Sequence, residues 1–401
     1  MDLARHGDTP LGDAIRRALA LKPSAPLPPL LALYETDVTR LAVSVQRGTS
    51  TIELALDEGR IAAGARSLTL RELGIELKQG CPEDAVQLAR EGCALHGLWL
   101  STISKSMKGQ RLADSPAREP QEPRIACGRH ASGPVLVRAV VGACLEQVIR
   151  FASEVAGGSD DAEHIHQLRV GIRRLRTALR ELRGLADGVD AAWEAPLVEA
   201  FRVLGRHRDR GHLARSVEPL LEAAGAPSVA AAALGQDDAP GPAEAVRAPA
   251  FQDSLLALLA FAHGEAAGGV DHRDACRQVR KALDTLHRQV MRDGARFASL
   301  DEGRQHRVRK RAKRLRYLAE FAAPLFGRRR AQEFSDRLKP VQDALGLSND
   351  ELMALRAYRS LAPQDPKAWF AVGWLSARRE PNAMACQQAI MRFGKARPFW
   401  A

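Results

Sequence analysis

Two segments of the chain carry basic side chains in the same arrangement. His166, Arg169, Arg173, Arg174 and Arg176 stand at offsets 0, 3, 7, 8 and 10, and His306, Arg309, Lys313, Arg314 and Arg316 repeat those offsets. Such residues supply no strong nucleophile; their common chemistry is the binding of anions. A guanidinium grips phosphate oxygens through its planar fork and stays charged at every relevant pH. Cations one helical turn apart, about 5 Å, match a row of phosphates better than a single small ion.

On a helix, His166, Arg169, Arg173, Arg176 and the following Arg180 fall within about 80° of one another and form one stripe. Ile165, Leu168, Ile172, Leu175, Leu179 and Leu182 form a second, apolar stripe that must face a core. The second copy behaves alike, with Val308, Ala312, Leu315 and Ala319 as its core face. Arg174 and Arg314 sit on the other flank of each basic stripe. A merely solubilising face mixes signs, yet His164–Arg183 holds six Arg and only Glu181 as an acid. Arg304–Arg316 holds eight Lys or Arg and no acid. Like charges packed this densely repel one another, so a counter-anion is expected.

The repeat extends downstream. Leu204-Gly205-x-x-x-Asp209 is matched by Leu345-Gly346-x-x-x-Asp350, with the aspartates 43 and 44 residues after their histidines. This reads as a duplication giving two helical halves about a pseudo-twofold axis, whose motif helices could line one basic channel. The two aspartates either orient the arginines or cap helices after a Leu-Gly turn. The histidines lack an acidic or His partner at i+3 or i+4, which argues against metal ligation and for hydrogen bonding to phosphate.

The elements that must position these residues are legible in composition and period. The chain has 401 residues, 27% charged and 45% hydrophobic, with a net charge of +11. Residues 1–127 hold 16 basic and 16 acidic side chains, so all of the excess lies in 128–401. Beyond residue 134 the pattern is helical, over roughly 134–156, 162–185, 193–222, 250–268, 270–294, 303–326, 329–345, 349–361 and 367–394. Before it, Ile52, Leu54 and Leu56 alternate with Glu53, Ala55 and Asp57 as in a strand. Arg47-Gly48 and Glu58-Gly59 mark tight turns. The proline-rich stretch Ser115–Pro123 reads as a linker, and Ala224–Pro249 as a long connection. The division expected is a module over 1–112, a linker over 113–129 and a helical domain over 130–401. The fold class is α+β overall: an all-α, two-half bundle preceded by a partial antiparallel β module. Six scattered cysteines without a C-x-x-C pair are expected to be reduced and packed. The longest apolar run, Leu255–Ala262, is too short for a membrane span, and the N-terminus lacks a secretory h-region. With aromatics at only 5%, stacking platforms for bases are scarce, which argues against nucleic acid.

The segments HQLRVGIRRLR and HRVRKRAKRLRY resemble the signature of the CHAD domain, the conserved-histidine α-helical domain. The closing Arg392-Phe393-x-Lys395-x-x-Pro398-Phe399-Trp400 is similar to that family's C-terminus. The resemblance covers about 130–401. It implies two four-helix halves around a basic pore that binds inorganic polyphosphate, often with association with polyphosphate granules and their proteins in the cytoplasm. The residues to which it assigns binding are His166, Arg169, Arg173, Arg176, His306, Arg309, Lys313 and Arg316; Arg174, Arg180, Lys310 and Arg314, beside them on the same helices, are added as candidate polyphosphate-binding residues.

The first module resembles the CYTH, or triphosphate-tunnel, fold through Glu53-Leu-Ala-Leu-Asp57-x-Gly59, Glu72-x-x-x-Glu76-Leu77-Lys78 and Ser104-Lys105-x-x-Lys108-Gly109. That likeness implies carboxylates holding a divalent metal, with Glu72 and Glu76 binding Mg or Mn if the module is active. The sequence departs from the pattern. No Glu-x-Glu-x-Lys strand precedes Val38, Gly74 replaces a carboxylate, Arg60 stands where an acid is common, and Lys108 replaces an arginine. A truncated, inactive module is therefore expected, and a non-enzymatic polyphosphate binder without a cofactor leads. A metal-dependent triphosphatase and a nucleic-acid binder are the alternatives.

Overall fold

The computed structural model describes residues 8–22, 25, 31–114, 124–229, 240–264 and 268–401, with the backbone alone for 208–216. The described part of the expected linker is therefore 113–114 and 124–129; Ser115–Pro123 lies outside it. The chain forms two compact units, one of Met1–Gln79 with Ile103–Pro120, the other of Gly80–Thr102 with Gln121–Ala401.

The first unit is built on three antiparallel strands in chain order, β1 (Glu35–Arg47), β2 (Ser50–Ala63) and β3 (Arg66–Gln79). A short helix α1 (Pro10–Ala18) precedes them; Thr9 caps it by accepting from the Gly12 N–H at 3.3 Å. Gly48 makes the first turn as expected, with φ +57°. The second turn is at Gly64, φ +59°, and not at Glu58-Gly59. Gly59 lies inside β2 opposite Val38, where a Cβ would run into the Asp37 carbonyl. Its glycine serves close strand approach, not a turn. The alternation also works differently from expectation. Ile52 is buried, but Leu54 and Leu56 are only half-buried, whereas Ala55 and Asp57 on the opposite parity are buried.

In the second unit, α2 (Pro82–His96) packs on α9 (Pro249–His263). The sequence places residues 82–96 in the first module. The Arg90–Asp253 pair, the Leu100 N–H donated to Gln252 and the Thr102 N–H donated to Ser153 tie this stretch to the helices instead. Helices α4 (Gly133–Ala156), α5 (Ala162–Leu182), α6 (Glu194–Ser216) and the short α7 (Glu218–Ala223) and α8 (Pro242–Arg247) form the first half with α9. The second half contains α10 (His272–Gly294), α11 (Glu302–Phe326), α12 (Arg328–Leu361) and α13 (Ala368–Phe393). Among the described residues the one helix in the first unit beyond α1 is α3 (Lys105–Leu112), capped by Ser104 accepting from the Met107 N–H.

A single hydrophobic core runs through both halves. It includes Leu136, Leu168, Ile172 and Leu175 from α4 and α5, and Val308, Leu315 and Phe321 from α11. Each such side chain, taken from exposed to fully buried, is worth about 1.5–3 kcal/mol. The apolar stripes of both motif helices are therefore the faces that anchor them. Trp400, Phe399, Phe393 and Phe334 close the second half with tilted or edge-on ring contacts at 5.0–5.5 Å between centroids. A smaller core joins α7 to the far ends of α12 and α13 through Leu221, Leu355, Tyr358 and Leu375.

The segments 329–345 and 349–361 are one continuous helix. Gly346 sits inside α12 and Gly205 inside α6, so the Leu-Gly pairs are not turns and the aspartates that follow do not cap new helices. Of the six free cysteines, Cys93, Cys144 and Cys386 are buried and Cys81 is exposed. Burial pushes the Cys144 thiol up to about 12, which makes it an inert packing group. None of the described helices is long and apolar enough to cross a membrane.

Candidate anion-binding site

Both motif helices start from the same device. Asp161 caps α5 by accepting from the Glu163 N–H, and Asp301 caps α11 by accepting from the Arg304 N–H, each at 2.8 Å. Each aspartate lies five residues before its motif histidine, so the duplication includes the caps as well. A cap of this kind contributes about 0.5–2 kcal/mol and fixes where the helix begins, hence which residues share a face.

The basic stripe of α5 faces α6. Arg169 is buried; it donates from Nη1 to the Phe201 carbonyl at 2.7 Å and lies over the Phe201 ring at 4.2 Å. Arg173 and Arg176 approach the same ring at 5.4 and 5.9 Å. Gly205, one turn further along α6, leaves space for the Arg169 guanidinium, since a Cβ there would meet Nη1 at 2.5 Å. Arg176 and Arg180 both bind Glu194, at 2.9 Å and 2.5 Å. Burial alone would raise the Glu194 carboxyl, but the hydrogen bonds from Arg180 and Arg176 outweigh it and hold it below the usual carboxylate range. Arg173 is half-buried and, among the described residues, forms no ion pair.

On α11, His306, Lys310 and Arg316 are solvent-exposed, and Arg309 and Lys313 are half-buried. Desolvation by its neighbours lowers the pKa of His306, and the nearby charges of Lys310, Arg309, Arg356 and Lys313 lower it further. Arg356 belongs to α12, so this stripe faces α12 as the first faces α6. Glu302 holds Arg356 and Arg379, each at 2.6 Å. Arg316 lies over the Tyr317 ring at 5.5 Å. Each stripe thus lies toward the helix that follows its motif helix, α6 for the first and α12 for the second. Contacts run from α5 to α6 and α11, from α11 to α12, and from α12 to α6, so the four helices close on one another.

Arg174 and Arg314 are placed elsewhere. Arg174 on α5 binds Glu320 of α11 and Gln147 of α4, with its side chain nearly buried. Arg314 on α11 binds Glu181 of α5 in return, with Nε at 2.7 Å from the carboxylate. Position 8 of each motif copy therefore clamps one motif helix to the other. Both residues, which the sequence assigns to the anion-facing set, are thus paired with carboxylates across the α5–α11 contact.

Sequence pattern alone did not single out Phe201, Glu194 or Arg356. Phe201 stands three residues before Leu204-Gly205, whereas Gln342 holds the corresponding place in the second copy, so the repeat hides it. The isolation of Glu181 among arginines was the available signal for a charged clamp. Asp350 lies within α12, and Asp209 falls in the stretch whose side chains are outside the described residues.

In the first unit the register sets Asp57 opposite Glu72 and Glu53 opposite Glu76. Asp57 is buried and takes both Arg40, at 2.7 and 2.8 Å, and Lys105, at 2.7 Å. These partners, Arg40 first, hold its carboxyl well below the usual range. Glu72 is bound by Lys105 at 2.9 Å and by Lys108. Its burial favours the neutral form, but hydrogen bonds from Lys108 and Lys105 overcome that and lower its pKa. Glu76 is exposed and pairs with Lys78 at 3.0 Å. Glu72 and Glu76, which the triphosphate-tunnel resemblance offers to a metal, are thus already bound to lysines. Among the described residues no cluster of three or more His, Cys, Asp or Glu is arranged to hold a metal ion.

A family model described as the CHAD domain matches residues 139–359. Among solved structures, the chain is similar to the crystal structure of the CHAD domain from the plant Ricinus communis. The two share 27% sequence identity with a TM-score of 0.53, over 70% of this chain and 98% of that one.

Proposed function

The chain belongs to the CHAD domain family, and from that premise we propose that it binds inorganic polyphosphate between its two halves, without catalysing a reaction. The observation that carries this is the pairing of equivalent basic grooves. Arg169, Arg173 and Arg176 gather on Phe201, and His306, Lys310, Lys313 and Arg316 line the counterpart on α11. A chain of phosphates running along both grooves meets a cation at each helical turn, and this is the basic pore of the proposal. Arg176 and Arg180 begin paired with Glu194, so polyphosphate competes for them, while Arg173, Lys310 and Arg316 are ready donors. Arg174 and Arg314 hold the two halves in register. The aromatic side chains present brace arginines and leave few faces for bases, which favours bare phosphate over nucleic acid.

The test is a titration with long-chain polyphosphate at several salt concentrations. Binding should weaken steeply as salt rises. Replacing Arg173, Lys310, Lys313 and Arg316 together by Ala should lower affinity by about two orders of magnitude, near 1 kcal/mol or less for each charge-assisted contact. The melting temperature should be nearly unchanged, because none of the four is buried. Unaltered affinity in this variant would remove the grooves from the site. RNA and DNA at equal phosphate concentration should compete poorly.

Association with polyphosphate granules follows as part of the same proposal, and a fluorescent fusion should leave granules when the four cations are removed. The metal-dependent triphosphatase reading requires Glu72 and Glu76 to release their lysines. Phosphate release from tripolyphosphate with Mg or Mn, abolished by Glu72→Ala, would establish it.

A further inference from the structure

The sheet of the first unit ends on an open edge. Strand β1 is 13 residues long and stands first in the order β1-β2-β3, and among the described residues no strand pairs with its outer side. An unpaired edge of this length offers a row of N–H and C=O groups to any strand that reaches it. Proteins commonly block such an edge with Lys, Pro or a bulge, yet Glu35–Arg47 contains no Lys, Pro or Gly. The opposite edge, β3, carries Gly74 and Lys78, and its ladder to β2 is irregular at Thr51 and Ile52. One face of the sheet is also apolar right up to the open edge. The register aligns Leu73, Leu56 and Leu41 in one row and Ile75, Leu54 and Val43 in the next. Leu41 and Val43, at the edge end of each row, are 69% and 53% exposed.

We infer that β1 pairs antiparallel with β1 of a second copy of this chain, about a twofold axis at Leu41, to make one continuous six-stranded sheet. In this register the strand is complementary to itself. Glu35 lies opposite Arg47 of the second copy, and Arg47 opposite its Glu35, so an opposite-charge pair closes each end. No like charges stand directly opposite, since Asp37 meets Val45, Thr39 meets Val43 and Arg40 meets Ala42. Arg40 comes near its own copy on the diagonal, but its guanidinium is turned back onto Asp57 of β2, with Nε at 2.7 Å and Nη2 at 2.8 Å from the carboxylate. Leu41 meets its own copy, so the row Leu73, Leu56, Leu41 continues through the same three leucines across the axis. The pairing thus covers the most exposed large apolar side chain of the sheet and satisfies the open backbone edge in one step. The motif cations belong to the other unit, so this contact stands apart from polyphosphate binding.

The experiment is sedimentation equilibrium of the full chain over about 1–100 μM, without polyphosphate. The mass should rise with concentration toward twice the 43.6 kDa of one chain. Glu35→Arg and Arg47→Glu should each raise the dimer dissociation constant at least about tenfold, because each sets like charges opposite at both ends. The two together should restore it, and that rescue shows that neither single variant acted by misfolding. A monomer at every concentration would overturn the proposal. So would single variants that leave the dimer intact, or a double variant no better than either single one. A second measurement fixes the register. With Cys81 replaced by Ser, Leu41→Cys should give disulfide-linked dimers on mild oxidation with diamide. Thr39→Cys should not, because strand geometry puts that position about 13 Å from its own copy. Equal cross-linking at both positions would overturn the axis at Leu41.

Discussion

Desolvation and a surround of Lys310, Arg309, Arg356 and Lys313 lower the His306 pKa from the ordinary histidine value and favour its neutral imidazole. A polyanion in the groove favours the imidazolium, and binding then takes up a proton. Polyphosphate affinity should therefore rise as the pH is lowered from 7 through the histidine range, and level off below the free-protein pKa. His306→Gln should flatten that profile, and equal pH dependence in variant and wild type would dismiss the role. The sign for folding is opposite. The unfolded chain protonates His306 more readily, so this residue contributes a loss of stability as pH falls below about 6.5. At the same scale, Phe201→Ala should cost about 1–3 kcal/mol in unfolding free energy, since the ring is half-buried and braces three arginines. The motif arginines were legible from residue type and spacing. Their separation into groove cations and clamp cations was not, because it depends on which carboxylate each meets.

Helix α6 and helix α12 carry the same Leu-Gly pair in different surroundings. Gly205 leaves room for Arg169, while a Cβ at Gly346 would touch nothing within 4 Å. Gly346→Ala should accordingly stabilise the protein by about 0.5–1 kcal/mol, as for an unhindered helix interior. Gly205→Ala should displace Arg169 from the Phe201 carbonyl and weaken polyphosphate binding, and thermal melts with titrations on both variants check the contrast. The clamp between α5 and α11 makes a further prediction. Glu320→Gln strips the charge partner from the nearly buried Arg174 and should cost about 2–4 kcal/mol. Glu181→Gln acts on the more exposed Arg314 and should cost less. Periodicity located the long helices but not α1, α3 or α8, the last inside a stretch read as a connection, and it split α12 around Gly346. A glycine weakens a helix by only about 1 kcal/mol, and the core contacts of Leu338, Val341, Leu345 and Leu355 on either side hold it continuous.

For the molecule as a whole, the uneven charge is a division of labour. The entire +11 resides after residue 127, and the salt sensitivity of binding should be a property of the second unit alone. That unit also includes Gly80–Thr102. A chain trimmed to 121–401 should melt at lower temperature than one trimmed to 80–401. It loses the Arg90–Asp253 pair and the two hydrogen bonds to Gln252 and Ser153, and exposes the face of α9 that α2 covers. Equal melting temperatures would show that α2 contributes nothing to the helical unit. Composition could not reveal this attachment, because α2 is as polar as a surface helix and follows the strands without a break.

By itself the sequence determined the class of the chain, an α+β molecule with a basic helical part, and the duplicated stripe of cations. Both follow from local periodicity and residue type, which act along the chain and need no partner. Only the tertiary structure decided which cations bind carboxylates on neighbouring helices and which do not. It also decided that Asp57 is held by Arg40 and Lys105 and Glu72 by Lys105 and Lys108. Those outcomes rest on pairings between residues as far as 146 positions apart. Charge pairing falls off over a few ångströms, so it is governed by distance in space and leaves no trace in spacing along the chain.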